Sequence, residues 1–242
     1  MKLSRLCVGL AATALALLLL SGPLTRFGLV HFRSGLLVFA GALIVAIGAF
    51  TIAVVSLIVP RLRGDKAKSF GIAVALSTVV MIPPAIFVQK ARGVPAIHDI
   101  STDTTNPPVF VDVIPLRQAG GAANPPEYPG ATVASEQKKA YPDLAPADFN
   151  FPPEQIFREA LAAARAMGWE IVAERPAEGR IEATATTAWF GFKDDIVIRI
   201  TPLDAGTRVD VRSKSRVGRS DVGANAARIR DYLGKLRSQQ RK

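Results

Sequence analysis

Three uncharged stretches in the first ninety residues restrict what this chain can become more than any other feature in it. Twenty residues separate Arg5 from Arg26, 27 separate Arg33 from Arg61, and 21 separate Lys68 from Lys90. A helix rises about 1.5 Å per residue, so roughly twenty residues cover the ~30 Å hydrocarbon core of a bilayer. None of the three carries the polar edge that a core helix of a water-soluble protein shows within a few turns. Membrane spans are expected at about 6–25, 35–59 and 69–89, forming an anchor over residues 1–94, with the lipid bilayer as its first partner.

The formal charge of +10 invites a nucleic-acid reading, but its distribution argues against one. Residues 1–94 hold ten Lys and Arg against the single acid Asp65, whereas the chain from Pro95 onward holds 20 basic and 19 acidic residues. The excess therefore flanks the spans, and no polyanion-binding surface is implied for the tail. Basic residues in short loops are retained on the cytoplasmic side during insertion. Lys2 and Arg5 before the first span, with Arg61, Arg63, Lys66 and Lys68 between the second and third, outnumber Arg26, Arg33, Lys90 and Arg92 on the other side. The count predicts a cytoplasmic N-terminus in the inner membrane, three crossings, and an extracytoplasmic, periplasmic tail. Ser21-Gly22-Pro23 lacks a small-residue cleavage pattern, so the first span reads as uncleaved. Cys7, the one cysteine, offers no intrachain disulfide.

No Asp, Glu, Lys, Arg or His lies within the spans, which removes the groups that proton relays and ion pathways use. Ala42, Ala46, Ala49 and Ala53, with Gly71 and Ala75 on the third span, read as small-residue packing faces. Pro83-Pro84 is expected to kink the third span or end it early.

Residues 95–152, together with Pro153, hold 11 of the 17 prolines and read as a mostly extended spacer, partly associated with the domain. Val109–Ile114 is a candidate added strand or clamp. Residues 153–242 read as an α+β domain. A helix is expected over about 153–168, then alternation around Trp169–Ala173, Ile181–Ala185, Ile196–Ile200 and Val209–Val211, then a helix with Val222, Ala226, Ile229, Leu233 and Leu236 on one stripe, capped by Ser220. The order α-β-β-β-β-α predicts an antiparallel sheet of about four strands with helices on one face. Ile196, Ile198 and Ile200 must face the same side as Val209 and Val211. Of the registers that allow this, one sets Arg199 opposite Asp210 and Asp195 opposite Lys214, with the turn at Asp204-Ala205.

The strings IEATATTAWFGFKDDIVIRI at 181–200 and TRVDVRSKSRVGRSDVGANAARIRDYL at 207–233 resemble the family called domain of unknown function 1499. IHDISTDTTNPPVF at 97–110, YPDL at 141–144 and MGWEIV at 167–172 extend the likeness over about 97–238. The resemblance implies a membrane-anchored member and supplies no mechanism.

Arg208, Arg212, Lys214 and Arg216 share a parity, so they form a basic stripe on the sheet face away from the apolar residues. Arg212, Lys214 and Arg216, with Ser220 at the start of the last helix, form a candidate anion site suited to phosphate or carboxylate. Alternatively the stripe is a solvated face with cross-strand pairs, Asp195 with Lys214 among them, leaving Arg212 and Arg216 free. His98, Trp189 and Phe192 are candidate pocket residues; Trp189 and Phe192, with Phe190, could line a pocket or touch lipid, though core packing is the commoner fate of such aromatics. Asp194-Asp195 point to opposite faces and cannot converge on one substrate. No catalytic residues, metal ligands or cofactor motif are legible. The preferred reading is a non-enzymatic envelope protein whose domain binds an envelope partner or an anionic lipid or glycan. A hydrolase using His98 with a carboxylate, and a scaffold for other membrane proteins, are the alternatives.

Overall fold

The computed structural model describes residues 2–239; Met1 and residues 240–242, the outer ends of the anchor and the tail, lie outside the described residues. The chain divides into two compact units, one holding the chain up to Gln89 together with Thr187–Gly191, the other holding Lys90–Thr186 and the chain from Phe192.

In the first unit α1 (Lys2–Arg26), α2 (Phe32–Ile58) and α4 (Ala67–Arg92) are each long and apolar enough to cross a membrane, with α3 (Pro60–Arg63) a single turn in the second connection. Their packing puts small side chains inside. Ala42, Ala46, Ala49 and Ala53 are fully buried against Cys7, Ala11, Ala14 and Ala73, while Leu19, Ile44, Val55 and Val79 are exposed. Small residues let helix backbones approach closely where the surrounding solvent is itself apolar. On α4 the packed stripe is Phe70, Ala73, Ser77, Val80 and Pro84, and Gly71 and Ala75 are exposed beside it rather than packed. The helix also continues through Pro83-Pro84 to Arg92 instead of ending there.

In the second unit the strands are β1 (Asp99–Ser101), β2 (Ala147–Phe149), β3 (Glu170–Arg175), β4 (Arg180–Thr186), β5 (Lys193–Leu203) and β6 (Gly206–Ser215). The helices are α5 (Ile114–Ala119), α6 (Ala131–Ala140), α7 (Pro153–Ala166) and α8 (Ala224–Gln239). The strands form one antiparallel sheet in the order β1-β6-β5-β4-β3, with β2 also paired to β6. The class is the expected α+β, with six strands instead of about four. β1 and β2 are three residues each, too short for alternation to announce them, and both lie in the proline-rich segment.

The β5–β6 register is the expected one: Arg199 faces Asp210, Asp195 faces Lys214, and Leu203 closes on Gly206. It places Ile181, Ile198 and Val211 in one cross-strand row and Ala183 and Ile196 in the next. Ile156, Ala160 and Ala163 of α7 and Ile229, Leu233 and Leu236 of α8 share the same apolar core. Trp169 stacks on Tyr232 at 5.1 Å, and the Tyr232 hydroxyl donates to Ala160 O at 3.0 Å, which satisfies the polar end of a buried ring.

The last helix starts later than expected. Asp221 caps it, accepting from the backbone N–H of Gly223 and Asn225, both at 2.8 Å. Val222 lies outside the helix with φ 54, and Ser220 accepts from the Val222 N–H one step earlier. Val109–Ile114 forms no strand; it clamps. Phe110 and Val113 are buried against Val197, and the Val111 and Val113 N–H groups both donate to the Glu182 carboxylate at 2.8 Å.

Candidate functional site

The basic stripe lies on the sheet face opposite α7 and α8, and only its first member is solvated. Arg208 pairs with Asp148 across β2 with both side chains about half exposed. Arg212, Lys214 and Arg216 are buried. In a sheet, residues directly opposite one another share a face, so the row Thr184, Asp195, Lys214, Asp99 and the row Glu182, Val197, Arg212, Ser101 form one ionic surface.

Two carboxylates organise it. Asp99 receives Arg212 in a bidentate fork at 2.9 and 2.8 Å and Lys214 at 2.9 Å. Asp195 receives Arg216 in a second fork at 2.9 and 2.8 Å, Arg117 at 2.6 Å, and the Thr184 hydroxyl at 2.8 Å. The pairing therefore differs from the sequence reading. Asp195 is opposite Lys214, yet it bonds Arg216 and Arg117, because Asp99 approaches Lys214 from β1 on its other side.

Each carboxylate thus meets two cations. Most of the remaining donors bind backbone carbonyls of the covering segment: Arg212 to Pro108 O and Pro126 O, Lys214 to Glu127 O, Arg117 to Asn124 O, Arg216 to Leu116 O; the Arg117 Nε–H has no partner among the described residues. Buried donors without partners are costly, and these carbonyls remove most of that cost. Burial pushes the Lys214 amine and the Arg117 guanidinium below their ordinary values, against the opposing pull of Asp99 and Asp195. The Arg212 guanidinium also lies over the Phe110 ring at 4.7 Å and the Tyr128 ring at 5.4 Å. Burial, with the Asp99 charge behind it, raises the Tyr128 hydroxyl to about 12. Its neutral O–H has no hydrogen-bond partner among the described residues.

Ser220 belongs to the loop before α8 and takes no part in this network. His98 stands just before β1 with its Nδ1 3.3 Å from Arg219 O, and the two residues line a cavity of about 250 Å³ with Ile97, Asn124, Pro129 and Val133. Neither Trp189 nor Phe192 lines that cavity. Asp99 is at its wall, with its carboxylate engaged by Arg212 and Lys214. The Arg219 side chain is exposed and makes no ion pair or hydrogen bond among the described residues. Sequence reasoning passed over Arg219, Arg117 and Asn124. None of the three lies in a periodic apolar run, so no local signal marked them.

The paired acids Asp194 and Asp195 diverge, the former meeting Arg228 and the latter Arg216. A larger hollow of about 680 Å³ between α7 and the Pro176–Gly179 turn is walled by Phe157, Leu161, Ile200 and Pro202. Two of its three acids, Glu174 and Glu178, are already paired with Arg165 and Arg180. Among the described residues no group of three or more His, Cys, Asp and Glu side chains is placed to hold a metal ion.

The sequence profile of the family described as "Protein of unknown function (DUF1499)" matches residues 99–236, more than half of the chain. The chain belongs to the DUF1499 family. The DUF1499 match opens on Asp99 and closes within α8, so both ionic triads, Arg219 and the sheet lie inside it, while His98 stands one residue before it and the apolar helices lie outside. No curated protein sequence matches the chain.

Proposed function

We propose that this DUF1499 protein is a non-enzymatic envelope protein of the cytoplasmic membrane, whose extracytoplasmic domain captures a small anionic group at His98 and Arg219. One observation carries the reading: every basic side chain of the buried stripe is engaged, whereas Arg219, whose guanidinium is unpaired among the described residues, lines a cavity together with His98. A guanidinium and an imidazole that share a concave wall suit phosphate or carboxylate, and Asp99 is already neutralised behind them. The asymmetry of basic residues around the apolar helices supports the extracytoplasmic placement.

Hydrolysis is less well supported. His98 has a backbone carbonyl as its ring partner, and among the described residues no carboxylate is within hydrogen-bond reach to orient it as a base. A scaffold acting through the alanine face of α2 is also disfavoured, because that face is already buried within the chain.

The test is titration of the detergent-solubilised full chain with inorganic phosphate and with glycerol phosphate, read by calorimetry and by the His98 ring resonances. Saturable binding is expected, weakened at least tenfold in Arg219→Gln, which leaves the fold untouched because Arg219 is exposed. Equal heats in wild type and Arg219→Gln would refute the site. A reporter fused after the last residue that is active only in the cytosol would refute the placement.

A further inference from the structure

The turn Thr187–Gly191 that joins β4 to β5 belongs to the helical unit and is built into it closely. The Arg26 guanidinium, at the end of α1, donates to Thr187 O at 2.7 Å and Ala188 O at 3.0 Å. The Trp189 indole lies on Gly22, where a Cβ would stand 2.2 Å from the ring, so only glycine admits it. Phe190 meets Phe39 of α2 edge-on at 5.9 Å. Gly191, at φ +70, brings the backbone so near α1 that a Cβ there would lie 2.9 Å from Arg26 Cα.

The depth of these contacts is what matters. Gly22 is one turn inside the uncharged run that ends at Arg26, and Phe39 is six residues inside the run that begins after Arg33, about 9 Å along the helix. A turn at that level faces a shortage of water for its carbonyls, and backbone there is tolerated only where protein donors replace the water. Arg26 is such a donor for two of them. Trp189 keeps 43% of its surface exposed, and its indole N–H has no partner among the described residues. A half-exposed indole with a free N–H beside the charged end of an apolar helix is the amphipathic group that prefers the level of lipid headgroups.

We propose that Thr187–Gly191 is a membrane-interface element, with the Trp189 indole in contact with lipid at the α1–α2 end of the spans. The chain has two tryptophans, and Trp169 is buried. The full chain carrying Trp169→Phe, reconstituted in phosphatidylcholine vesicles, leaves Trp189 as the sole emitter. Lipid brominated near the headgroup end of its acyl chains is expected to quench it at least twofold, more strongly than lipid brominated near the terminal methyl. The wild type minus Trp189→Phe difference spectrum gives the same readout without altering the Trp169–Tyr232 stack. Absence of lipid quenching in both, with full quenching by aqueous iodide, overturns the proposal, as does stronger quenching from the bilayer centre.

Discussion

On one face of the sheet Ile181, Ile196, Ile198 and Val211 pack beneath α7 and α8; on the other, one residue further along each strand, Glu182, Asp195, Arg199, Arg212 and Lys214 lie under a segment of short turns. Both faces exclude water from their centres, by opposite chemistry. Apolar burial is non-directional, and a helix of roughly the right shape suffices to provide it. Ionic burial is directional: each donor needs an acceptor within hydrogen-bond range, so the 102–128 segment must present particular carbonyls at particular places. Apart from the six-residue α5, that segment has no regular structure, and several of its carbonyls are satisfied by side chains of the sheet instead of by a ladder.

The two faces are expected to differ most at Asp195. Asp195→Ala strands Arg117 and Arg216 in a buried site, and a loss of about 3–5 kcal/mol is expected. Urea unfolding of the detergent-solubilised chain, followed through the near-ultraviolet signal of the Trp169–Tyr232 stack, measures it. Ile198→Val on the apolar face is expected to cost about 0.5–1.5 kcal/mol in the same assay. Equal losses would mean that the ionic face relaxes or hydrates as freely as a methyl group can be removed.

A smaller effect sharpens the contrast through pH. The Arg175 hydrogen bond, with Arg180 beside it and against a modest opposing effect of burial, holds the Asp112 carboxyl below the usual carboxylate range. A lowered folded-state value means stability that is present above the unfolded value and lost as pH falls through the folded one. Asp112→Asn is therefore expected to be less stable than wild type at pH 7, with the difference closing below about pH 4. Unfolding midpoints across that range test the sign. The smallest effect belongs to the solvated end of the stripe: Arg208→Ala, which removes a half-exposed pair with Asp148, is expected to cost about 0.2–1 kcal/mol and to lose even that in high salt.

Legibility in the sequence followed the range of the interactions. The apolar runs, the α7 periodicity and the β5–β6 register depend on neighbours a few residues apart or on one hairpin, and each is written locally. The shared parity of Arg208 to Arg216 was equally local, but whether that face meets water depends on residues about a hundred positions earlier. Arg117, which shares Asp195 with Arg216, comes from a short helix after a proline-rich run and carries no periodic signal. The start of α8 was misjudged because Ser220 and Asp221 are both competent caps, and the choice rests on the turn made possible by Val222 at φ 54 and Gly223 at φ 80.

By itself the sequence determined that the chain carries three apolar helices of membrane-spanning length and a tail whose strands alternate, since both follow from the periods of helix and strand acting on hydrophobicity. Tertiary structure alone decided that the stripe of Arg212, Lys214 and Arg216 lies under a lid of carbonyls around Asp99 and Asp195, leaving Arg219 to face a cavity. Charge is cheap to expose and expensive to bury, so its partners can be assigned only when every strand and covering loop has found its place.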